Sequence, residues 1–267
     1  MIKQVFLSIA RKLRMMKLVD ALYFWYNQAR FRKKNRSFQL AHPAIKLPPP
    51  YMVYESYRLD YESYYRDGYM TAKYILHELG KLMDISRMNL LDWGCGPARV
   101  VRHMPALLSH QCHVFATDYN PETVRWCREN ISGVEFRVNS IQPPLGFDDR
   151  FFDAVYGISI FTHLSDVNHE LWMRELHRIL KPGGILLITT QGPAFKIKMN
   201  KRELAKFNAG ELVVRSNVKE GHRTFSAFQP HAFMDVLLGS EWNVLKKVAG
   251  GQQPWGPEQD TWMVQKR

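Results

Sequence analysis

The sequence predicts an α/β fold: a mostly parallel sheet with helices on both faces, plus a helical extension at the N-terminus. Three observations carry this. From residue 89 onward, short apolar runs alternate with helical patterns. A glycine turn, Gly94-Cys95-Gly96, stands where the first apolar run gives way to a helical pattern. Lys181-Pro182-Gly183-Gly184 stops another helix just before the next apolar run.

The elements follow in order. Thr71–Leu79 reads as a helix stopped by Gly80. Asn89–Trp93 is a short buried strand, and Val100–Leu108 a helix that Pro105 kinks or ends. His113–Thr117 is a strand. Asn120-Pro121-Glu122 supplies a cap, a proline at the first helical position and an acid, opening a helix to about Asn130. Val134–Val138 and Phe152–Ser159 are strands, Asp166–Leu180 a helix and Ile185–Thr190 a strand. Trp242–Val248 and Thr261–Lys266 read as the last two strands. Between them and the fifth strand, residues 191–221 form a long, partly basic insertion.

Composition excludes several classes. Of 267 residues, 46% are hydrophobic and 13% aromatic, too many for a disordered chain. Three cysteines exclude a disulfide framework and fit a reducing compartment. No apolar run reaches the roughly 18 residues of a spanning helix. No group of side chains has metal-ligand spacing.

The formal net charge is +12, and residues 1–40 hold ten of the bases against one acid, Asp20. The basicity is therefore local to the N-terminus. Ile2, Val5, Phe6, Ile9, Leu13 and Met16 share one helical face, with Lys3, Arg11 and Arg14 opposite. An apolar, aromatic stretch from Leu18 to Tyr26 and a basic block from Arg30 to Arg36 follow. Such a segment suits peripheral contact with an anionic membrane, or a helix packed on the body with its basic face in water. A secretory signal is not expected, because Arg11-Lys12 interrupts a run that is already short. A mitochondrial transit peptide has a similar composition. Pro48-Pro49-Pro50 marks the expected boundary between an extension, 1–50, and the body, 51–267, in which 51–88 forms an N-terminal cap.

The chemistry centres on the first strand-to-helix turn. Gly94 and Gly96 let the backbone turn tightly and approach a ligand. One strand later, Phe115-Ala116-Thr117-Asp118 ends in an acid about twenty residues on, a spacing suited to gripping ribose hydroxyls.

With these residues the chain resembles the class I S-adenosylmethionine-dependent methyltransferases. The carriers are Leu91-Asp92-Trp93-Gly94-Cys95-Gly96, Asp118, the segment Phe147–Val155 and the Leu180–Gly184 turn, in family order. The resemblance implies a Rossmann-like fold and S-adenosylmethionine as cofactor, leaving as S-adenosylhomocysteine. It implies that Asp92 and the Gly94-Cys95-Gly96 backbone lie near the methionine part of the cofactor. Asp118 would hold the ribose, and Tyr119 would flank the adenine. Asn139, Ser140 and Ile141 would meet the adenine where the family often has an acid. Gly157, Ile158 and Ser159 would leave the fourth strand beside the sulfonium. Tyr65 belongs to a stretch resembling the cap over the cofactor. The third glycine of the loop is replaced by Ala98, which is small enough for close packing.

The acceptor is less legible. The Asp/Asn-Pro-Pro-aromatic motif of base N-methylation is missing after the fourth strand, where Gly157–His163 stands. Oxygen methylation needs a base or alignment alone. His163, His222 and Asp260 are the candidate bases. Ser159–Leu164, the Leu180–Gly184 turn, Thr189–Gly192 and Gln259-Asp260 look most like bacterial glycan and cell-surface polysaccharide methyltransferases. They imply a sugar or glycan hydroxyl as acceptor, free or carried on a lipid, and residues 191–221 stand where the resemblance implies an acceptor-binding lid. Three alternatives stay open: a small-molecule or lipid O-methyltransferase, an RNA methyltransferase, and a non-catalytic cofactor-binding scaffold. A nucleic-acid partner is disfavoured because nothing resembles an appended RNA-binding domain. The expected location is cytoplasmic, peripheral on the inner face of the membrane; the oligomeric state is not legible.

Overall fold

The computed structural model describes residues 16–216 and 218–267, and the chain divides into two compact units between Gly68 and Tyr69. The amphipathic pattern read over residues 2–15 lies outside the described residues.

In the first unit the helix Met16–Ala41 takes in both the aromatic stretch and the basic block. Phe24 and Phe38, about four helical turns apart, pack against a buried cluster of Val53, Tyr54, Leu59, Tyr61 and Tyr64. Polar ties fix this packing. Tyr54 donates to the Asp20 carboxylate at 2.9 Å, and Lys34 pairs with Asp60 at 2.6 Å. Asn35 donates to the Leu59 carbonyl at 3.2 Å and accepts from the Tyr61 N–H at 2.9 Å. Pro50 opens the helix Pro50–Ser56, where its missing N–H costs nothing. The unit thus includes residues 51–68, which the sequence reading groups with the body. The next helix, Tyr61–Gly80, ends at Gly80 as expected.

The second unit is built on a seven-stranded sheet among the described residues. Its strands are β1 (Asn89–Trp93), β2 (His113–Asp118), β3 (Glu135–Val138), β4 (Phe152–Gly157), β5 (Leu180–Thr190), β8 (Trp242–Val248) and β11 (Asp260–Lys266), in the order β3-β2-β1-β4-β5-β11-β8. The first five run parallel, and β11 runs antiparallel to both its neighbours. Two shorter pairings follow among the described residues: β6 (Val213–Arg215) with β7 (Ser226–Phe228), and β9 (Gln252–Gln253) with β10 (Gly256–Pro257). One face of the sheet carries Leu90, Ala116, Ala154, Tyr156 and Leu187; the other carries Leu91, Trp93, Val155, Leu186 and Trp262. Both faces are apolar because helices cover both.

Local chemistry explains most element ends. Asn120 caps the helix Pro121–Asn130, its Oδ1 accepting from the N–H groups of Glu122 at 3.0 Å and Thr123 at 3.3 Å. The helix Asp166–Ile179 hands over to β5 at Leu180. The one element that differs in kind is the expected helix Val100–Leu108. It is a 3-10 turn, Val101–His103, and a short helix, Met104–Leu107, with Pro105 in its first turn. Proline, having no N–H to offer the preceding turn, starts the short helix instead of kinking a long one.

The chain runs outward from β1 to β3, then returns to start β4 on the other side of β1. The crevice for a ligand in such a sheet opens at that reversal, beyond the carboxyl ends of β1 and β4.

Candidate functional site

The loop after β1 is pinned to the end of β2. The N–H groups of Gly94 and Cys95 both donate to the Thr117 carbonyl at 2.9 Å. The Gly96 N–H donates to Asp118 Oδ2 and the Asn120 N–H to Asp118 Oδ1, each at 2.9 Å. Asp118 therefore ties the two turns together. Gly94 and Gly96 stand at φ +78° and +52°. A Cβ at Gly94 would overlap Ile160 Cδ1 and stand 2.7 Å from its Cγ1. Ala98 has φ +62° and is fully buried, so the position asks for a small residue and a left-handed backbone, which costs an alanine about 1–2 kcal/mol.

Asp92 lies beneath this loop, buried, and accepts from the Tyr156 hydroxyl at 2.8 Å. Burial pushes its carboxyl up to about 7, opposed by the Tyr156 hydrogen bond and by Arg99. Burial and the neighbouring Asp92 hold the Tyr156 phenol well above its usual range. Cys95 is buried too, and burial raises its thiol strongly. It contributes backbone to the loop, not a nucleophile.

Beyond β2 and β3, two of the residues implied to meet the adenine, Tyr119 and Ile141, come together at Gly221. The Tyr119 hydroxyl donates to the Gly221 carbonyl at 3.2 Å. A Cβ on Gly221, at φ +82°, would stand 2.9 Å from Ile141 Cδ1 and 3.3 Å from Tyr119 Cε1. Asn139 donates its N–H to the Asp118 carbonyl at 3.1 Å and its Nδ2 to the Ser140 carbonyl at 2.6 Å. Its Oδ1 is buried with no hydrogen-bond partner. Ser140 is exposed.

At the exit of β4, Gly157 fits because Trp93 leaves no room; a Cβ there would stand 2.7 Å from the Trp93 ring. Ile158 leads to Ser159, a non-glycine residue at φ +67°. Ser159 is held in a polar ring that the sequence did not reveal. Its N–H donates to Thr189 Oγ1 at 2.7 Å, Thr189 donates to Gln259 Oε1 at 2.6 Å, and Gln259 Nε2 donates to Ser159 Oγ at 2.8 Å. This ring links the ends of β4 and β5 to the start of β11.

The three candidate bases have different surroundings. His163 pairs its Nδ1 with the Phe225 carbonyl at 2.9 Å, which makes Nδ1 the protonated nitrogen and leaves Nε2 as an acceptor. Burial lowers its pKa, so it is neutral at pH 7. His222 lies in the strap 218–225, where its Nδ1 takes up the Thr224 hydroxyl at 2.9 Å. That strap reaches the site at several points: the Gly221 N–H donates to the His163 carbonyl at 3.1 Å, and Glu220 Oε1 accepts from Asn168 at 2.8 Å. Asp260 does not offer its carboxylate to an open pocket. It is fully buried, with Oδ2 on His231 Nε2 and Oδ1 on the Gly250 N–H, each at 2.7 Å. The member of that pair that reaches solvent is His231, which the sequence reading missed because the two are joined only by the fold. Tyr65 belongs to the first unit, where its ring lies 6.3 Å from Phe38.

Residues 191–221 form a 3-10 segment Pro193–Lys198, a helix Lys201–Asn208 and strand β6. Phe195, Phe207, Val213 and Phe228 make their own small core.

Residues 91–188 match the family described as "Methyltransferase domain". A fatty-acid O-methyltransferase of Mycolicibacterium smegmatis is 29% identical over 133 residues, 49% of this chain and 47% of that protein. The mitochondrial ubiquinone biosynthesis O-methyltransferase of Rattus norvegicus is 29% identical over 121 residues, 43% of this chain and 33% of that one. The chain thus spans less than half the length of these curated relatives. A SAM-dependent methyltransferase structure from Methanosarcina mazei superposes with a TM-score of 0.55 at 20% identity, covering 72% of this chain and 96% of that one.

The residues present fit S-adenosylmethionine. The unpartnered Asn139 Oδ1 is an acceptor suited to an adenine amino group, in the place of the family's acid. Asp118 at the end of β2 is an acceptor of the kind that ribose hydroxyls require, and Gly94 and Gly96, at positive φ, leave the loop without a side chain at those two positions. Sheet order, loop geometry and domain match agree: residues 91–188 are a methyltransferase domain, carried on the Rossmann-like fold seen in S-adenosylmethionine-dependent methyltransferases.

Proposed function

We propose that this chain transfers a methyl group from S-adenosylmethionine to an oxygen of a lipid or lipid-linked acceptor, including a sugar hydroxyl carried on a lipid. The observation that carries the transfer itself is Asp118 tying the glycine loop to the end of β2. The lipid class is supported by the named activities of the fatty-acid and ubiquinone relatives. The sugar is supported by the motif likeness around Ser159–Leu164 and Gln259-Asp260. When bound, the cofactor supplies a methyl group activated by a sulfonium. Residues 191–221 serve as the acceptor lid and residues 51–88, with Tyr65, as the cap. The basic segment 1–40 holds the enzyme at an anionic membrane, on its inner face, where such acceptors reside. Among the described residues no helix is long and apolar enough to cross a membrane.

The O–CH3 bond forms as the S–CH3 bond breaks, and the hydroxyl proton must leave. His163 Nε2 is the proposed proton acceptor, because the Nδ1 bond to Phe225 fixes the tautomer and the ring is neutral at pH 7. His163→Gln is expected to lower kcat about 10²–10⁴-fold with little change in cofactor affinity. An unchanged kcat would mean that alignment alone suffices, or that His222 or His231 takes the proton. The proposal is tested with a labelled methyl donor offered to fatty acids, quinols and lipid-linked sugars. Label in the lipid-phase product supports it; transfer only to water-soluble acceptors or RNA rejects it.

A further inference from the structure

The helix Met16–Ala41 carries a stripe that the core does not use. Leu18, Leu22, Trp25, Ala29, Arg32 and Arg36 are spaced by alternating steps of four and three residues, which places them along one face. Leu18, Leu22 and Trp25 are exposed by 54%, 62% and 64%, although all three are large and apolar. The stripe changes character along its length: apolar and aromatic toward the N-terminus, cationic toward the C-terminus. Arg32 and Arg36 sit one turn apart and have no acidic partner among the described residues, unlike Lys34, which pairs with Asp60 and Glu62. The same two arginines, with Trp25 and Gln28, line a cleft of about 670 Å³ whose other wall includes Pro50 and Leu59. Gln28 Oε1 is buried there without a hydrogen-bond partner.

We infer that this cleft binds the phosphate head of an anionic membrane lipid. The Arg32 and Arg36 guanidinium groups hold the phosphate oxygens, and Leu18, Leu22 and Trp25 enter the acyl layer beside it. Two arginines one turn apart match a phosphate in charge and in fork geometry. An apolar stretch continuous with a cationic end matches the boundary between acyl chains and headgroups. Gln28 offers an acceptor to a headgroup hydroxyl. The inference rests on the membrane reading of the N-terminal segment, and is independent of methyl transfer.

The test uses the full chain and vesicle flotation. Wild type is compared on phosphatidylcholine vesicles and on the same vesicles with phosphatidylglycerol added. The decisive variant is Arg32→Lys/Arg36→Lys, which keeps every charge and loses the forks. It is expected to lower partition onto phosphatidylglycerol vesicles roughly tenfold, with Arg30→Lys unchanged. Trp25→Ser is expected to lower it by a similar factor. Unchanged far-ultraviolet circular dichroism and S-adenosylhomocysteine affinity establish that the variants are folded. If wild type floats and the double lysine variant floats equally well, the membrane reading stands and the cleft is overturned, the binding being diffuse electrostatics. If wild type does not float, both fall. If inorganic phosphate alone saturates the protein and releases it from vesicles, the ligand is a free phosphate and the lipid assignment is overturned. A dimer mass in light scattering that Leu22→Ser converts to monomer would assign the stripe to a second copy of the chain instead.

Discussion

Gly94→Ala is expected to weaken cofactor binding severely and to lower the melting temperature markedly. Two costs coincide at this position. An alanine at φ +78° is strained by about 1–2 kcal/mol. Its Cβ would also overlap Ile160, and relief of such overpacking costs about 1–3 kcal/mol more. Against a total stability of about 5–15 kcal/mol, the sum is severe but survivable. The loop escapes the strain by shifting, which moves the Gly96 N–H off Asp118 and carries the ligand-facing backbone away. Affinity for S-adenosylhomocysteine should fall at least about a hundredfold. Adding Ile160→Ala separates the causes: it removes the overlap and leaves the left-handed strain, so stability should recover in part and binding should not. Wild-type affinity in Gly94→Ala would show that the loop does not approach the cofactor.

The second large effect is a pH dependence carried by Asp92. Its folded-state pKa of about 7 lies above the ordinary aspartate value of about 3.9. Between those values the folded protein holds a proton that the unfolded chain has released. Stability is therefore full below about pH 4 as far as this group is concerned, and falls as pH rises toward 7. The span corresponds to about 4 kcal/mol at its upper bound. Asp92→Asn should remove this slope in denaturant melts taken from pH 5 to 8, because the amide oxygen still accepts from Tyr156. Cofactor affinity should move the opposite way. A cationic ligand near Asp92 favours the ionised carboxylate, so binding of S-adenosylmethionine should tighten from pH 6 to 8 in wild type and stay flat in Asp92→Asn. A flat wild-type profile would separate Asp92 from the charged end of the cofactor.

Much of this site was legible because its signals are local. The turn from β1 into the glycine loop and the Asn120-Pro121 cap each act within a few residues, and each stands where the sequence placed it; Lys181–Gly184 follow the end of the helix as expected but lie inside β5, which starts at Leu180. Asp118 was legible through spacing alone, since one crossover fixes how far the next strand end lies from the loop. What the sequence could not show are contacts created by the sheet. Asp260 reads as an available acid until β11 pairs with β5 and buries it against His231 and Gly250. Gly221 reads as a loop glycine until the strap brings it to Tyr119, 102 positions away. Ile160 reads as an ordinary apolar residue until it fills the space over Gly94. The Val100–Leu108 difference is of another kind: Pro105 suits a first helical turn and an interior kink alike, and only packing chooses between them.

The central claim is that the loop tied down by Asp118 holds the cofactor. Calorimetric titration with S-adenosylhomocysteine, on wild type and on Asp118→Ala, tests it most directly. The account predicts saturable one-to-one binding by wild type and a loss of at least about a hundredfold in the variant, since the ribose hydroxyls and the Gly96 N–H lose a charged acceptor together. Well-folded wild type that does not bind, or an Asp118→Ala variant that binds as tightly, would contradict it.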